Sequence, residues 1–177
     1  MPIPGKRWYH VTFSTYNSWL PGDPRGFRSR GHKLHSSGDH RNPPPKGEHA
    51  GLHQHAKAIS GTPITLALAL RPTAGRAMIR NMEQHGHRPV VVAVGGQHVH
   101  LLAELPQSSA EAKTAVGNAK LAASMKLKDA LPGRVWAKGC NLKPIRDEQH
   151  QRNTFAYIER HRAEEAWVWT FREGLTG

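Results

Sequence analysis

The sequence predicts an α+β fold, an antiparallel sheet with helices packed on it. Three observations predict it. Residues 7–16, 89–94 and 98–105 are rich in β-branched and aromatic types and read as strands. Segments with apolar residues at helical spacing lie between and after them. Gly95-Gly96 joins two of the strands by a turn so short that they must run antiparallel.

Taken in order, RWYHVTFSTY (7–16) is the first strand, and Pro21-Gly22-Asp23-Pro24-Arg25-Gly26 after it is a cluster of turn formers. Residues 28–61 carry many Arg, His, Lys, Gly and Pro, with Pro43-Pro44-Pro45 among them. With little apolar periodicity they read as a basic, mobile loop, inserted into a single domain that spans 1–177. PITLALAL (63–70) reads as a short strand leading into a helix that Thr73 caps, with Ala77, Ile79 and Met82 among its apolar positions and its end near Gly86. Pro89 to Val94 is a continuous apolar run, the sign of a strand buried on both faces. His98 to Leu105 is the return strand, ended by Pro106.

Ser108 or Ser109 then caps a helix over about 109–130. Ala115, Ala119, Ala122 and Met125 suit its packed face, while Lys113, Lys120, Lys126 and Lys128 could track a phosphate backbone. Residues 134–137 and 142–145 look like short strands around Gly139, and Asp147 opens a helix of roughly 148–164. Trp167-Val168-Trp169 either packs on the body or reads a base. Strand, helix, strand, strand, helix, strand, helix is the ferredoxin-like split βαβ order with an added C-terminal helix.

The charge balance limits the partners. Among 177 residues there are 25 Lys+Arg against 13 Asp+Glu, a formal charge of +12. Such an excess repels itself and is best explained by a polyanion, with nucleic acid ahead of an anionic membrane. No stretch approaches the roughly 20 apolar residues that span a bilayer. Cys140 is the only cysteine, so no intrachain disulfide forms, and MPIPGKRWYHVTF has no signal-peptide apolar region. The expected location is the cytoplasm, in association with the nucleoid if the host is a bacterium.

Thirteen histidines need sorting. His98 and His100 are two apart on a strand and project from one face, while Val99 points into the core. Two imidazoles on one face can hold a divalent cation, and the last helix offers His161 as a third ligand. Tyr157, four residues earlier, shares that helical face. A helix laid across the sheet could present both to the His98/His100 face. A hard cation such as Mg²⁺ or Mn²⁺ would polarise a scissile phosphate, and it would favour the phenolate of a tyrosine whose reference pKa is about 10. Attack by Tyr157 on phosphorus gives a covalent phosphotyrosine and a free 3′-hydroxyl, so the same site can rejoin strands.

Gln97-His98-Val99-His100-Leu101-Leu102 resembles the HUH motif of the single-tyrosine transposases. Tyr157-Ile158-Glu159-Arg160-His161 resembles their helix with the nucleophile and third metal ligand. Residues 19–27, WLPGDPRGF, resemble a segment near the N-terminus of the tyrosine transposases that act at repetitive extragenic palindromes (REP). With the segment Trp136-Ala137-Lys138-Gly139, the resemblance touches most of the chain outside 28–61. It implies a divalent metal and cleavage of single-stranded DNA beside a hairpin, with rejoining through a 5′-phosphotyrosine. Many insertion-sequence members have glutamine where this chain has His161, which leaves the metal preference open. Arg25, Lys120 and Lys138 are candidate nucleic-acid contacts. Related transposases often act as dimers, so a homodimer is admitted, although nothing in the sequence fixes an interface.

Other readings compete with this one. His53-Gln54-His55 and His85-Gly86-His87 share the spacing without the buried-strand context and read as solvent-facing. Tyr9 and Tyr16 are rival nucleophiles, but aromatics on a first strand usually pack. Glu104 reads as an exposed strand residue without a role, and Asp23, Arg25 and Gly26 as a turn that either contacts DNA or only turns. A histidine-triad hydrolase lacks its third histidine at Leu102, and no acidic cluster supports a zinc hydrolase. A non-catalytic nucleic-acid-binding module and a decayed or domesticated transposase stay open as alternatives.

Overall fold

A computed structural model describes residues 2–25, 45 and 47–175. Five strands form one antiparallel sheet in the order β4-β1-β3-β2-β5: β1 (Lys6–Ser14), β2 (Arg88–Val94), β3 (His98–Pro106), β4 (Asn141–Pro144) and β5 (Trp167–Thr170). The helices are α1 (Ala50–Ile59), α2 (Arg71–Gln84), α3 (Ser109–Leu127) and α4 (Glu148–Glu159). The first four strands and the helices α2 and α3 make the expected split βαβ pattern, and β3 lies between β1 and β2 as that pattern requires.

Strand alternation divides the interior. Val11, Phe13, Val92, Val94, Val99, Leu101, Ala103 and Leu105 are buried with Met78, Ile79 and Met82 of α2 and Ala115, Val116, Ala119 and Leu127 of α3. On the other face Trp8, Val91, Ala93, Leu102 and Val168 pack with Ile158 of α4. Gly75 is the place where α2 meets the edge strand. A Cβ there would stand 1.9 Å from the Trp167 ring, so a side chain at 75 would push β5 away.

Several boundaries differ from the sequence reading. Residues 26–44 and 46, most of the basic stretch, lie outside the described residues, as do Gly26 and Phe27 of the transposase-like segment. The C-terminal part of that stretch is not loop, because 50–59 form α1 with Ala56 buried. Residues 61–67 form no strand, and a single 3₁₀ turn at Leu68–Leu70 leads into α2. Thr73 is inside α2, whose N-cap is Leu70 without a side-chain hydrogen bond, because Pro72 already suits the first turn. Ser108 does cap α3, accepting from Glu111 N, and Asp147 caps α4, accepting from His150 N. The buried stripe of α3 is Ala112, Ala115, Val116, Ala119, Lys120, Ala123 and Leu127, which leaves Met125 65% exposed. Trp136 makes one bridge to Thr15 instead of a strand. Trp167, Val168 and Trp169 belong to the edge strand β5. Among the described residues no helix is long and apolar enough to cross a membrane.

Candidate metal centre and tyrosine

The α4 face of the sheet carries His98 and His100 on β3 and His10 on β1. Register places Thr12 opposite His100 and His10 opposite Leu102, so the two strands bring His10 and His100 diagonally together on one surface. Their rings stack at 5.4 Å between centroids, and His10 Nε2 lies 3.1 Å from His100 Nδ1. The helix α4 ends at Glu159, and a 3₁₀ turn, Arg160–Glu164, carries His161 inward until it is 6% exposed. The ring centroid of His161 is 4.5 Å from that of His100 and 5.9 Å from that of His98. One ring nitrogen from each of His98, His100 and His161 lies within 4.8 Å of the other two, a group able to share one cation.

The donor chemistry suits a cation. His161 Nδ1 is 3.1 Å from Tyr157 O and 3.2 Å from Ile158 O, so it carries the proton and donates, which leaves Nε2 with a free lone pair. The contact with His10 Nε2 occupies His100 Nδ1. Burial, with His161, His10 and His98 close by, brings the His100 pKa down to about 2. Burial and the charges of Lys143, His150 and His161 bring His10 down to about 4. His98 is also lowered, first by burial, then by His161, with Arg25 adding to the effect. The imidazoles of His98 and His100 are therefore neutral near pH 7 and available as ligands.

Tyr157 projects from α4 into this cluster. Its ring centroid is 4.9 Å from His161, 5.6 Å from His100 and 5.9 Å from His10, yet the residue is 43% exposed. Burial, reinforced by Glu164, raises its pKa, so the phenol is protonated until a cation or base acts on it. Tyr9, one rival, is 4% exposed, and its hydroxyl donates to Gln107 O. Tyr16, the other, stands under the Arg134 guanidinium.

The remaining candidates divide. Arg25 donates to both carboxylate oxygens of the buried Asp23 and to Ser18 O, and its guanidinium lies 4.4 Å from the Trp19 ring. Burial alone would raise the Asp23 carboxyl, but the hydrogen bonds and charge of Arg25 outweigh it and hold the pKa down. Half of the Arg25 side chain stays open. It borders a cleft of about 590 Å³ between residues 17–25 and α1, with His53, Lys57 and Gln97. Gly22 (φ 80°) makes that docking feasible, since a Cβ would fall 2.5 Å from His53 N. Lys138 is exposed.

Lys120 is not brought to the histidines. It is 9% exposed on the α3 side, donating to Ala137 O and Gly139 O above the Phe13 ring. The phosphate-tracking reading fails for it because its helical position falls on the buried stripe. Glu104 departs furthest from expectation. It is 0% exposed, accepts from Ile3 N and pairs with Arg88 at 3.2 Å, because β3 is central and covered on both faces. Of the two decoy pairs, His55 and His85 are exposed, whereas His53 and His87 are half-buried. Sequence reasoning missed His10 and its cross-strand neighbour Lys143, since only the β1–β3 and β1–β4 registers bring them to the site.

The fold and the cluster define a ferredoxin-like α+β protein with four histidines and one tyrosine gathered at a sheet face. No family model and no curated protein matches the sequence. Among solved structures it is similar to a REP-associated tyrosine transposase bound to a REP hairpin, at 13% identity and a TM-score of 0.49, over 93% of this chain and 70% of that one.

Proposed function

We propose that this protein is a single-strand DNA nuclease-transesterase, a transposase-like enzyme that cuts and rejoins DNA through Tyr157. The observation that carries the reading is the convergence of His98, His100 and His161 with a half-exposed tyrosine from a separate element. Lone His-x-His pairs are common, but a third imidazole and a tyrosine hydroxyl at the same place give the group one joint purpose.

His98, His100 and His161 would hold the divalent metal, Mg²⁺ or Mn²⁺. When bound, that cation supplies Lewis-acid polarisation of the scissile phosphate and offsets charge on its oxygens. The Tyr157 oxygen forms a bond to phosphorus while the bond from phosphorus to the 3′-oxygen of the preceding nucleotide breaks. The phenolic proton leaves to solvent, and the departing 3′-oxygen takes up a proton to become a hydroxyl. The product is a 5′-phosphotyrosine whose reversal joins strands. Lys143, opposite His10, and Arg25, whose charge reaches His98, would hold flanking phosphates. Lys138, exposed on the 136–139 segment, is a weaker candidate for the same task. The hairpin preference rests on the resemblance of residues 19–27 to the REP-acting transposases, and a homodimer on the habit of that family. The basic charge would suit a place on the nucleoid if the host is a bacterium.

The test uses purified protein and single-stranded, hairpin-bearing DNA from the regions flanking its own gene, with Mn²⁺, Mg²⁺ or EDTA. A denaturant-resistant protein–DNA adduct is expected with metal and not with EDTA, and Tyr157→Phe should abolish it. An adduct that survives in Tyr157→Phe would move the nucleophile elsewhere. Tight binding without any adduct would favour a non-catalytic or decayed protein.

A further inference from the structure

Beside the histidines, on the same side of the sheet, lies a cavity of about 610 Å³ between α4 and the ends of β2 and β5. Its floor includes Leu102, two residues along β3 from His100 on the same face, hence about 7 Å away by the strand rise. Its two flanks are aromatic rings each paired with a guanidinium. Arg88 lies 5.0 Å from the Trp8 ring, and Arg172 lies 5.6 Å from both Phe155 and Phe171. Phe171 is 55% exposed, so its ring is open to an incoming group at the cavity that it lines. Gln151 of α4 adds a side-chain amide to the lining.

The charges around the cavity choose its occupant. Arg88 is paired with Glu104 and Arg152 with Glu148, and Glu159 balances Arg172 in number. A lining so nearly neutral, in a protein of charge +12, is poorly suited to a phosphate and well suited to a neutral planar ring. Aromatic and guanidinium planes are the surfaces on which unpaired bases stack, and a primary amide can hydrogen-bond a base edge. The size is within the range of small-ligand sites.

We infer that this cavity is a nucleobase pocket, taking an unstacked base of single-stranded DNA one or two nucleotides from the bond that Tyr157 attacks. The inference rests on the proposed strand-cleaving reading for its substrate. It adds that the enzyme grips a base as well as a backbone. Phe171 and Phe155 supply the stacking faces, Arg172 orders them, and Gln151 reads the edge. An extended strand passing the histidines would run along β3 toward Leu102 and deliver its next bases there.

The test separates this from the chemistry by using Tyr157→Phe protein in EDTA, which cannot cleave. Single-stranded DNA with thymines replaced by 5-iodouracil is irradiated on the protein, and the crosslinked peptide is identified by mass spectrometry. Crosslinks at Phe155 or Phe171 are expected. Phe171→Ala should weaken binding of a fluorescent single strand by about tenfold, a typical cost of losing one stacked base, and Phe171→Trp should restore it. Crosslinks confined to other segments, or an unchanged affinity in Phe171→Ala, would overturn the pocket. So would a change of oligomeric state in Phe171→Ala without a change in DNA binding, since a second copy would then be the occupant. Adduct formation without these crosslinks removes the pocket and leaves the transesterase. Crosslinks without an adduct in the unsubstituted protein leave a base-binding protein without the chemistry.

Discussion

The two faces of one sheet differ in kind. The face under α2 and α3 is apolar almost throughout, with Val11, Phe13, Val92, Val94, Leu101 and Leu105 sealed against two helices. The face under α4 has a smaller apolar patch, and beside it stand His10, His98, His100 and His161, with Glu104 buried on the same strand. The same three central strands, β1, β3 and β2, contribute to both. Because side chains alternate, a strand can give every second residue to stability and the others to chemistry without compromise between them. The lesson is that the helical face fixes where the histidines stand, while the α4 face decides what they do.

Substitutions can break that division. The largest effect should come from Leu101→Ala, which empties a fully buried position between His100 and Leu102 on the helical face. A loss of about 2–5 kcal/mol is expected in chemical denaturation, with Mn²⁺ affinity of the folded protein unchanged. If metal affinity fell with stability, the two faces would not be separable. Gly75→Ala should come next, at about 1–3 kcal/mol, because the new methyl meets the Trp167 ring. A thermal melt as stable as the unsubstituted protein would show that β5 can move without cost.

The smallest effect on stability and the sharpest on function is expected at His10. His10→Phe should lower Mn²⁺ affinity about 10–100-fold in a calorimetric titration, the usual consequence of losing a partner to a ligand's second nitrogen, while the melt barely changes. His10→Gln, whose side-chain oxygen can still accept from His100 Nδ1, should recover much of it. Equal affinity in all three proteins would leave His10 a packing residue only.

What the sequence could disclose follows the range of the forces involved. The β2–β3 hairpin was legible because Gly95-Gly96 and the runs beside it are local signals. Ser108 and Asp147 were legible as caps for the same reason, and the Tyr157/His161 pairing follows from helical spacing. Lys120 and Glu104 were misjudged, since a charged residue reads as exposed until the fold supplies carbonyls or an arginine to pair with it. Helix α1 was hidden in a stretch whose basic composition overrides weak periodicity. His10 could not be found at all from spacing, because its neighbour His100 is ninety residues away in the chain.

That long-range contact has a consequence for folding fidelity. If β1 paired with β3 one residue out of place, Tyr9 or Val11 would stand where His10 does, and every strand residue meant for the helices would face α4. Such a chain could keep its content of strands and helices and still be a different molecule at the histidine cluster. The pairing of two imidazoles is therefore a marker of the correct register of the central seam. A single-residue deletion within β1 would erase it while leaving His98, His100 and His161 in the sequence.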